Sequence, residues 1–304
     1  DSSDVIVATL FLCVSTTASL KLMPLHTLLT YRKIFFTFMV ERRRLRQMLN
    51  KKYLEIIKKF RLIDDTFFNF CFDNNPEYVQ YILQIILDKP ALKVLKVQTQ
   101  KSVENVYGRS VRFDVFATDD KGKLYNIEVQ RSDAGAIPTR ARYNSSMLDY
   151  HKLKENAKFN ELPETFVIFI TEHDVLKGDE QIYHIERVVR ETNKAFEDGT
   201  HIIYVNGNIR SGSLLGDLMH DFFCANPEDM IHRQLARRVA FLKNNEQEAR
   251  KMCKLVEDLQ DEREKETLIK SIRNLMETLN LSLQQAMDAL KIPADKQKEY
   301  ASLI

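Results

Sequence analysis

The stretch VRFDVFATDDKGKLYNIEVQ, Val111–Gln130, decides the fold. Tyr125–Gln130 alternates apolar and polar residues with a period of two, the mark of a half-buried strand, and Val111–Thr118 and Leu124–Gln130 read as two strands. DDKGK between them has the chemistry of a tight turn. The two runs therefore predict a β-hairpin centred on Lys121. That centre sets Asp114 opposite Glu128 and Arg112 opposite Gln130. Directly opposed residues have Cβ atoms roughly 4.5–5.5 Å apart. The period places Arg112, Asp114, Glu128 and Gln130 on one face. Phe113, Val115, Tyr125, Ile127 and Val129 share the other, the expected core face.

Two carboxylates directly opposed on a sheet repel one another. One reading is a solvated strand face on which Arg112 offsets part of the charge. The other is a cation site, because two carboxylates completed by water or phosphate oxygens suit Mg²⁺. A metal held this way generates hydroxide and stabilises the charge that develops on a phosphate.

Outward from the hairpin, the pattern is mixed α/β. Leu54, Ile56, Ile57, Phe60 and Ile63 have amphipathic helical spacing. PEYVQYILQIIL (76–87) follows Asn75 as cap and carries Pro76 in its first turn, so a helix is expected. Val94–Thr99 reads as a strand and Pro138–Leu153 as a helix. FVIFIT (166–171) and HIIYV (201–205) are short and apolar throughout, as in the buried centre of a sheet. Ile182–Phe196 between them reads as helix or mixed structure. Beyond about Pro227 strand signals cease and charge rises. Met252, Val256, Leu259, Leu268, Ile272 and Leu275 recur at helical spacing, and Ser282–Leu290 with Asp295–Leu303 forms a small helical hairpin. No internal repeat is present.

The chain has 304 residues, 44% hydrophobic and 29% charged, as in a globular protein. A formal net charge of +2 gives no global field for nucleic acid, so any such contact must come from local basic patches. The four cysteines, Cys13, Cys71, Cys224 and Cys253, form no CxxC pair, which argues against a structural zinc or a disulfide framework. A reducing, cytoplasmic setting is the natural expectation. Val5–Val14 is an apolar run of ten, shorter than the roughly 20 residues that span a bilayer. Asp1 and Asp4 precede it where a signal peptide would carry basic residues. The preferred reading places residues 1–47 outside the native domain, with a functional start at Met39 or Met48. The alternative is a peripheral membrane-binding segment. The remaining boundaries are 48–230 for the α/β domain and 231–304 for a helical C-terminal extension.

Five stretches then stand in order: DDTFFNFCF at 64–72, GRSVRFDVFATDDKGKLYNIEVQRSD at 108–133, RARYNSSMLDYHKL at 140–153, LPETFVIFIT at 162–171 and HIIYVNG at 201–207. Together they resemble the PD-(D/E)XK nuclease superfamily, and within it the recombination-promoting nuclease/putative transposase family. The resemblance implies a restriction-endonuclease-like fold, with a mixed central sheet of about four to five strands flanked by helices. It implies a Mg²⁺-dependent DNA endonuclease, Mn²⁺ being the alternative metal, that promotes recombination or transposition. Asp114 and Glu128 match the metal ligands of the motif. Asp65 resembles the acidic residue of the family's first helix, reaching the metal through water. Arg140 and Tyr143 resemble an Arg-x-x-Tyr that contacts phosphate. Two positions depart from the pattern: Phe113 stands for the motif Pro, and Gln130 for the motif Lys. Glutamine can orient water but carries no charge, so Arg112 or Arg140 is expected to supply it. The rival reading keeps the fold and loses cleavage through Gln130, leaving a DNA- or protein-binding module. A double-strand cut would call for two active sites and hence a homodimer.

Other features have plainer readings. Arg42–Arg46 (RRRLR) is a DNA-backbone contact or a solvated helix face. His220-Asp221 suits capping or packing better than a catalytic dyad, and His173 and Asp174 are read as structural. The charged tail lacks sustained heptads, so a solvated amphipathic helix is expected there before a dimer helix.

Overall fold

The computed structural model describes residues 39–40, 54–105, 108–153, 156–210 and 212–304. The expectations for Val5–Val14, Arg42–Arg46, Cys13 and Met48 lie outside these residues. From Leu54 onward the chain forms one compact unit.

Residues 54–59 are helical, followed by α1 (Asp65–Phe72) and α2 (Pro76–Ile86). Strands β1 (Val94–Val103), β2 (Val111–Asp119) and β3 (Leu124–Gln130) come next, then α3 (Pro138–Lys152) and β4 (Thr165–Thr171). Three short strands follow: β5 (Ile182–Ile185), β6 (Val188–Val189) and β7 (Lys194–Ala195). β8 (Thr200–Asn206) and α4 (Leu214–Phe223) complete the α/β part. Helices α5 (Arg233–Asn244), α6 (Glu246–Leu279), α7 (Leu283–Ala289) and α8 (Ala294–Ala301) close the chain.

The main sheet has six strands in the order β1-β2-β3-β4-β8-β5. β1–β2 and β2–β3 are antiparallel, β3–β4 and β4–β8 parallel, and β8–β5 antiparallel. A parallel step needs a long crossover, and α3 supplies it between β3 and β4. The hairpin register is the expected one: Val115 pairs with Ile127, Phe116 with Asn126, and Ala117 with Tyr125. Asp119 builds the turn. Its carboxylate accepts N–H bonds from Lys121 (2.9 Å) and Lys123 (2.8 Å) and the Tyr125 hydroxyl (2.9 Å), while Gly122 takes the positive φ of 79° that the turn requires.

Of the two readings of Ile182–Phe196, helix or mixed structure, the helix is excluded: the segment supplies the edge strand β5 and the separate β6–β7 pair. The polar face of the hairpin is not open to solvent. α3 packs over β3, β4 and β8, and Phe116, Leu124, Val167, Phe169 and Tyr204 join Ala141 and Leu148 of that helix in one core. Both faces of β3 are therefore buried. Finally, Phe113 does not side with Val115; its ring stacks on Phe116 at 6.3 Å within that same core. An unusual backbone conformation lies across the ladder from this stretch. β1–β2 pairing runs through Thr99↔Val115 and Lys101↔Phe113, and between them Gln100 turns to φ 50°, opposite Asp114. A left-handed residue inside a strand breaks the alternation of faces there.

α7 and α8 fold back on the end of α6. Ile272, Ala286, Met287, Ile292 and Tyr300 form a second small core there.

Candidate active site

Beyond the Val115–Ile127 pair the two strands no longer exchange regular ladder bonds, and their carboxylates fill the gap. Glu128 Oε1 accepts the Asp114 backbone N–H at 3.3 Å, and Asp114 Oδ2 accepts the Val129 N–H at 3.2 Å. The pair is thus fixed from both sides by main chain, with Glu128 fully buried and Asp114 7% exposed. Glu128 Oε2 takes a charge-assisted bond from Arg140 Nη2 at 2.8 Å, and Arg140 Nη1 donates to the Gly135 carbonyl at 2.9 Å. Arg140 stands one turn into α3, so the crossover helix returns a cation to the strand it has just left. Asp65 opens α1, and its carboxylate is steadied by Asn69 one turn on, whose Nδ2 donates at 2.6 Å.

The electrostatics follow from burial. Desolvation pushes Asp114 well above the ordinary carboxylate range, and the charges of Glu128 and Asp65 push it further. Burial raises Glu128 to about 7 against the pull of Arg140. Burial likewise raises Asp65, opposed by Arg112, Arg263 and Arg140. A carboxyl whose pKa is higher folded than unfolded holds a proton that the unfolded chain has already lost. The metal-free protein should therefore lose stability as pH rises from about 4.5 to 7 and beyond. Urea titrations across that range, run in chelator, check the sign; stability rising over this window would contradict it.

The donor set fits a hard divalent cation. It is all oxygen, it carries more negative charge than Arg140 neutralises, and Asp114 Oδ1 accepts no hydrogen bond from a described residue. Asn126 adds a second sign. Its carboxamide is fully buried on the same strand face, two residues before Glu128, and neither of its polar atoms has a partner at hydrogen-bond geometry among the described residues. It lies close enough to Glu128 to favour the ionised carboxylate. Asp114 and Glu128 could hold such an ion directly. Asp65 is not drawn tightly onto them, since among the described residues the His/Cys/Asp/Glu trio with all ligand atoms within 4.8 Å is His220, Asp221 and Cys224.

The other candidates are distributed as follows. Gln130 ends β3 half-buried, its amide oxygen against Gly135 so closely that a Cβ there would collide with it. Its side chain makes no hydrogen bond to a described residue and so remains able to orient water. Arg112 is exposed on the flank of the site, without an ion pair to a described residue, and within electrostatic reach of Asp65. Tyr143 is braced elsewhere: its hydroxyl donates to the Arg109 carbonyl and accepts from Asn105 Nδ2 at 3.2 Å, tying α3 to the β1–β2 connection. Asp174 organises a turn, accepting from Lys177 N, Asp179 N and the Tyr183 hydroxyl. His173 lies 3.4 Å from Asp133.

His220, Asp221 and Cys224 are better explained as a stitch than as a metal site. Both Asp221 oxygens are taken by N–H groups: Ile231 N at 2.7 Å, His232 N at 2.8 Å and the His232 ring at 2.9 Å. Burial also raises the Cys224 thiol, which disfavours the thiolate a metal needs. No sequence pattern marks Asn69, Asn126 or Gly135 as part of the site on its own. Asn69 was within reach, because it lies four residues after Asp65 on one helix face.

A six-stranded mixed sheet flanked by helices, with Asp and Glu on neighbouring strands, is consistent with the restriction-endonuclease-like class of α/β nucleases. The chain matches the family described as PD-(D/E)XK nuclease family transposase over residues 65–300, and it belongs to that family. No curated protein and no solved structure matches it. Membership supports a nuclease-type function on DNA, and nucleases of this superfamily typically use divalent metals. Among the described residues no helix is long and apolar enough to cross a membrane.

Proposed function

We propose that the protein is a Mg²⁺-dependent DNA endonuclease whose cuts promote recombination or transposition. The observation that carries this is the Asp114–Glu128 pair, each carboxylate locked by the other strand's backbone, with a bare Asp114 oxygen and Asp65 alongside. A divalent cation bound there supplies a Lewis acid and a water of lowered pKa. Asp114 and Glu128 hold it, and Arg140 keeps Glu128 oriented and ionised. The Gln130 amide positions the attacking water, seated against Gly135. The Arg112 guanidinium, free of ion pairs with described residues, meets the scissile phosphate and supplies charge that glutamine lacks. The chain acts as a homodimer where both strands are cut, and in the cytoplasm.

The test is supercoiled plasmid incubated with the purified protein and Mg²⁺ or Mn²⁺, with and without chelator, beside Asp114→Ala and Glu128→Ala. Metal-dependent nicking that disappears in both variants is expected. DNA binding without cleavage in any metal would instead favour the second reading, a binding module that has lost catalysis through Gln130.

A further inference from the structure

Among the described residues the middle of α6 buries no side chain and yet passes close to the site. Residues 257–258 and 260–267 are exposed on every side, unlike the ends of the helix, which bury Met252 and Ile272. A helix that is polar all round bridges two bodies through solvent or is held by side-chain pairs along its own surface. Here Glu266 forms one wall of a groove of about 720 Å³ whose other wall is Ser102 of β1, Glu104, Arg109 and Ser110 of the β1–β2 connection, and Arg112 of β2. Arg263 lies three residues before Glu266, hence on the same helix face. It makes no ion pair with a described residue, although Lys265 two residues on pairs with Glu299. Its charge reaches the Asp65 carboxylate together with that of Arg112.

We propose that α6 is the outer wall of the substrate groove and that Arg263 contacts a backbone phosphate of the nucleic acid bound there, opposite Arg112. This rests on the nuclease reading above. The two guanidiniums then bracket one strand at the edge of the carboxylate cluster and together replace the single cation missing at Gln130. Glu266, on the same wall, repels the backbone and limits how tightly it is held. The C-terminal helices become part of the substrate site rather than an appendage to it.

Arg263 and Glu266 are both exposed, so neither substitution threatens the fold. Binding of a fluorescein-labelled duplex is followed by anisotropy in Ca²⁺ as a function of salt, and Mg²⁺-dependent nicking is measured in parallel. Arg263→Ala should weaken binding about 3- to 10-fold and lower the salt slope by about one, the signature of one lost phosphate contact. Arg263→Lys should stay near wild type, and Glu266→Gln should bind more tightly. A purely structural helix would not give opposite signs at neighbouring positions. Unchanged affinity and slope in Arg263→Ala, or no binding by the wild-type protein, overturns the proposal. Wild-type binding without nicking, with Arg263→Ala still weakened, removes the nuclease reading and leaves the groove assignment standing.

Discussion

Asp114→Asn will abolish metal-dependent cleavage and make the metal-free protein more stable. The side chain keeps its shape, and the amide oxygen still accepts the Val129 N–H that Asp114 Oδ2 accepts at 3.2 Å. What disappears is a carboxylate buried to 7% exposure and facing the charges of Glu128 and Asp65. Replacing buried charge with a neutral group of the same shape is often stabilising by about 1–4 kcal/mol. In a domain of this size each kcal/mol moves Tm by roughly 2–4 °C, so a rise of several degrees at pH 8 is expected.

Two controls give this prediction its sign. The advantage should shrink as pH falls toward the ordinary Asp value of about 3.9, below which the carboxyl is protonated in the folded and unfolded chain alike. With saturating divalent metal it should shrink or reverse. A ligand at 100 times its Kd stabilises by about 2.7 kcal/mol, and the variant has lost the oxygen that holds it. Cleavage should fall by at least about 100-fold, the loss that changes in the outer shell of a metal site already produce. A variant less stable than wild type in chelator at pH 8 would show that Asp114 is not under charge repulsion. The cation site would then lose its main physical support.

How much of this site could be read from the sequence depends on which forces placed each residue. The Asp114–Glu128 pairing is local: a turn chemistry that permits one centre and a two-residue period fix it. Asp65 and its partner Asn69 are local too, one helical turn apart. The face reversal at Phe113 is not. Gln100 adopts φ 50° with no glycine to announce it, and the change shows only once β1 lies beside β2. The strands of Ile182–Ala195 escaped for a related reason. They are two to four residues long and half-exposed, too short for either periodicity to declare itself. Arg140 resembled a phosphate contact by spacing, yet its bond to Glu128 arises from the crossover that returns α3 over β3. The passage of α6 beside Arg112 is wholly tertiary; nothing in EDLQDEREKET distinguishes it from any solvated helix.

Lys243→Met will destabilise the protein by about 3 kcal/mol although it lies outside the candidate site. Lys243 sits in α5 only 6% exposed, and its ammonium donates to three main-chain carbonyls: Lys58 O at 3.0 Å, Phe60 O at 2.6 Å and Ala225 O. Two of these belong to the end of the helix at 54–59, where a cation also complements the helix dipole. Methionine preserves the packing of the stem and removes every donor. Each buried carbonyl left unpaired costs about 1–3 kcal/mol, reduced by whatever water can enter and by relief of the buried charge. Lys243→Arg should not rescue, because a planar fork cannot aim three donors from one point. Burial lowers the Lys243 pKa to about 8. Between that value and the unfolded value near 10.4 the unfolded chain binds the extra proton, so stability from this group rises with pH there. The gap between wild type and Lys243→Met should accordingly widen from pH 8 to pH 10. Denaturant titrations at the two pH values measure it. A loss below about 1 kcal/mol with no pH dependence would mean that the three carbonyls find water instead.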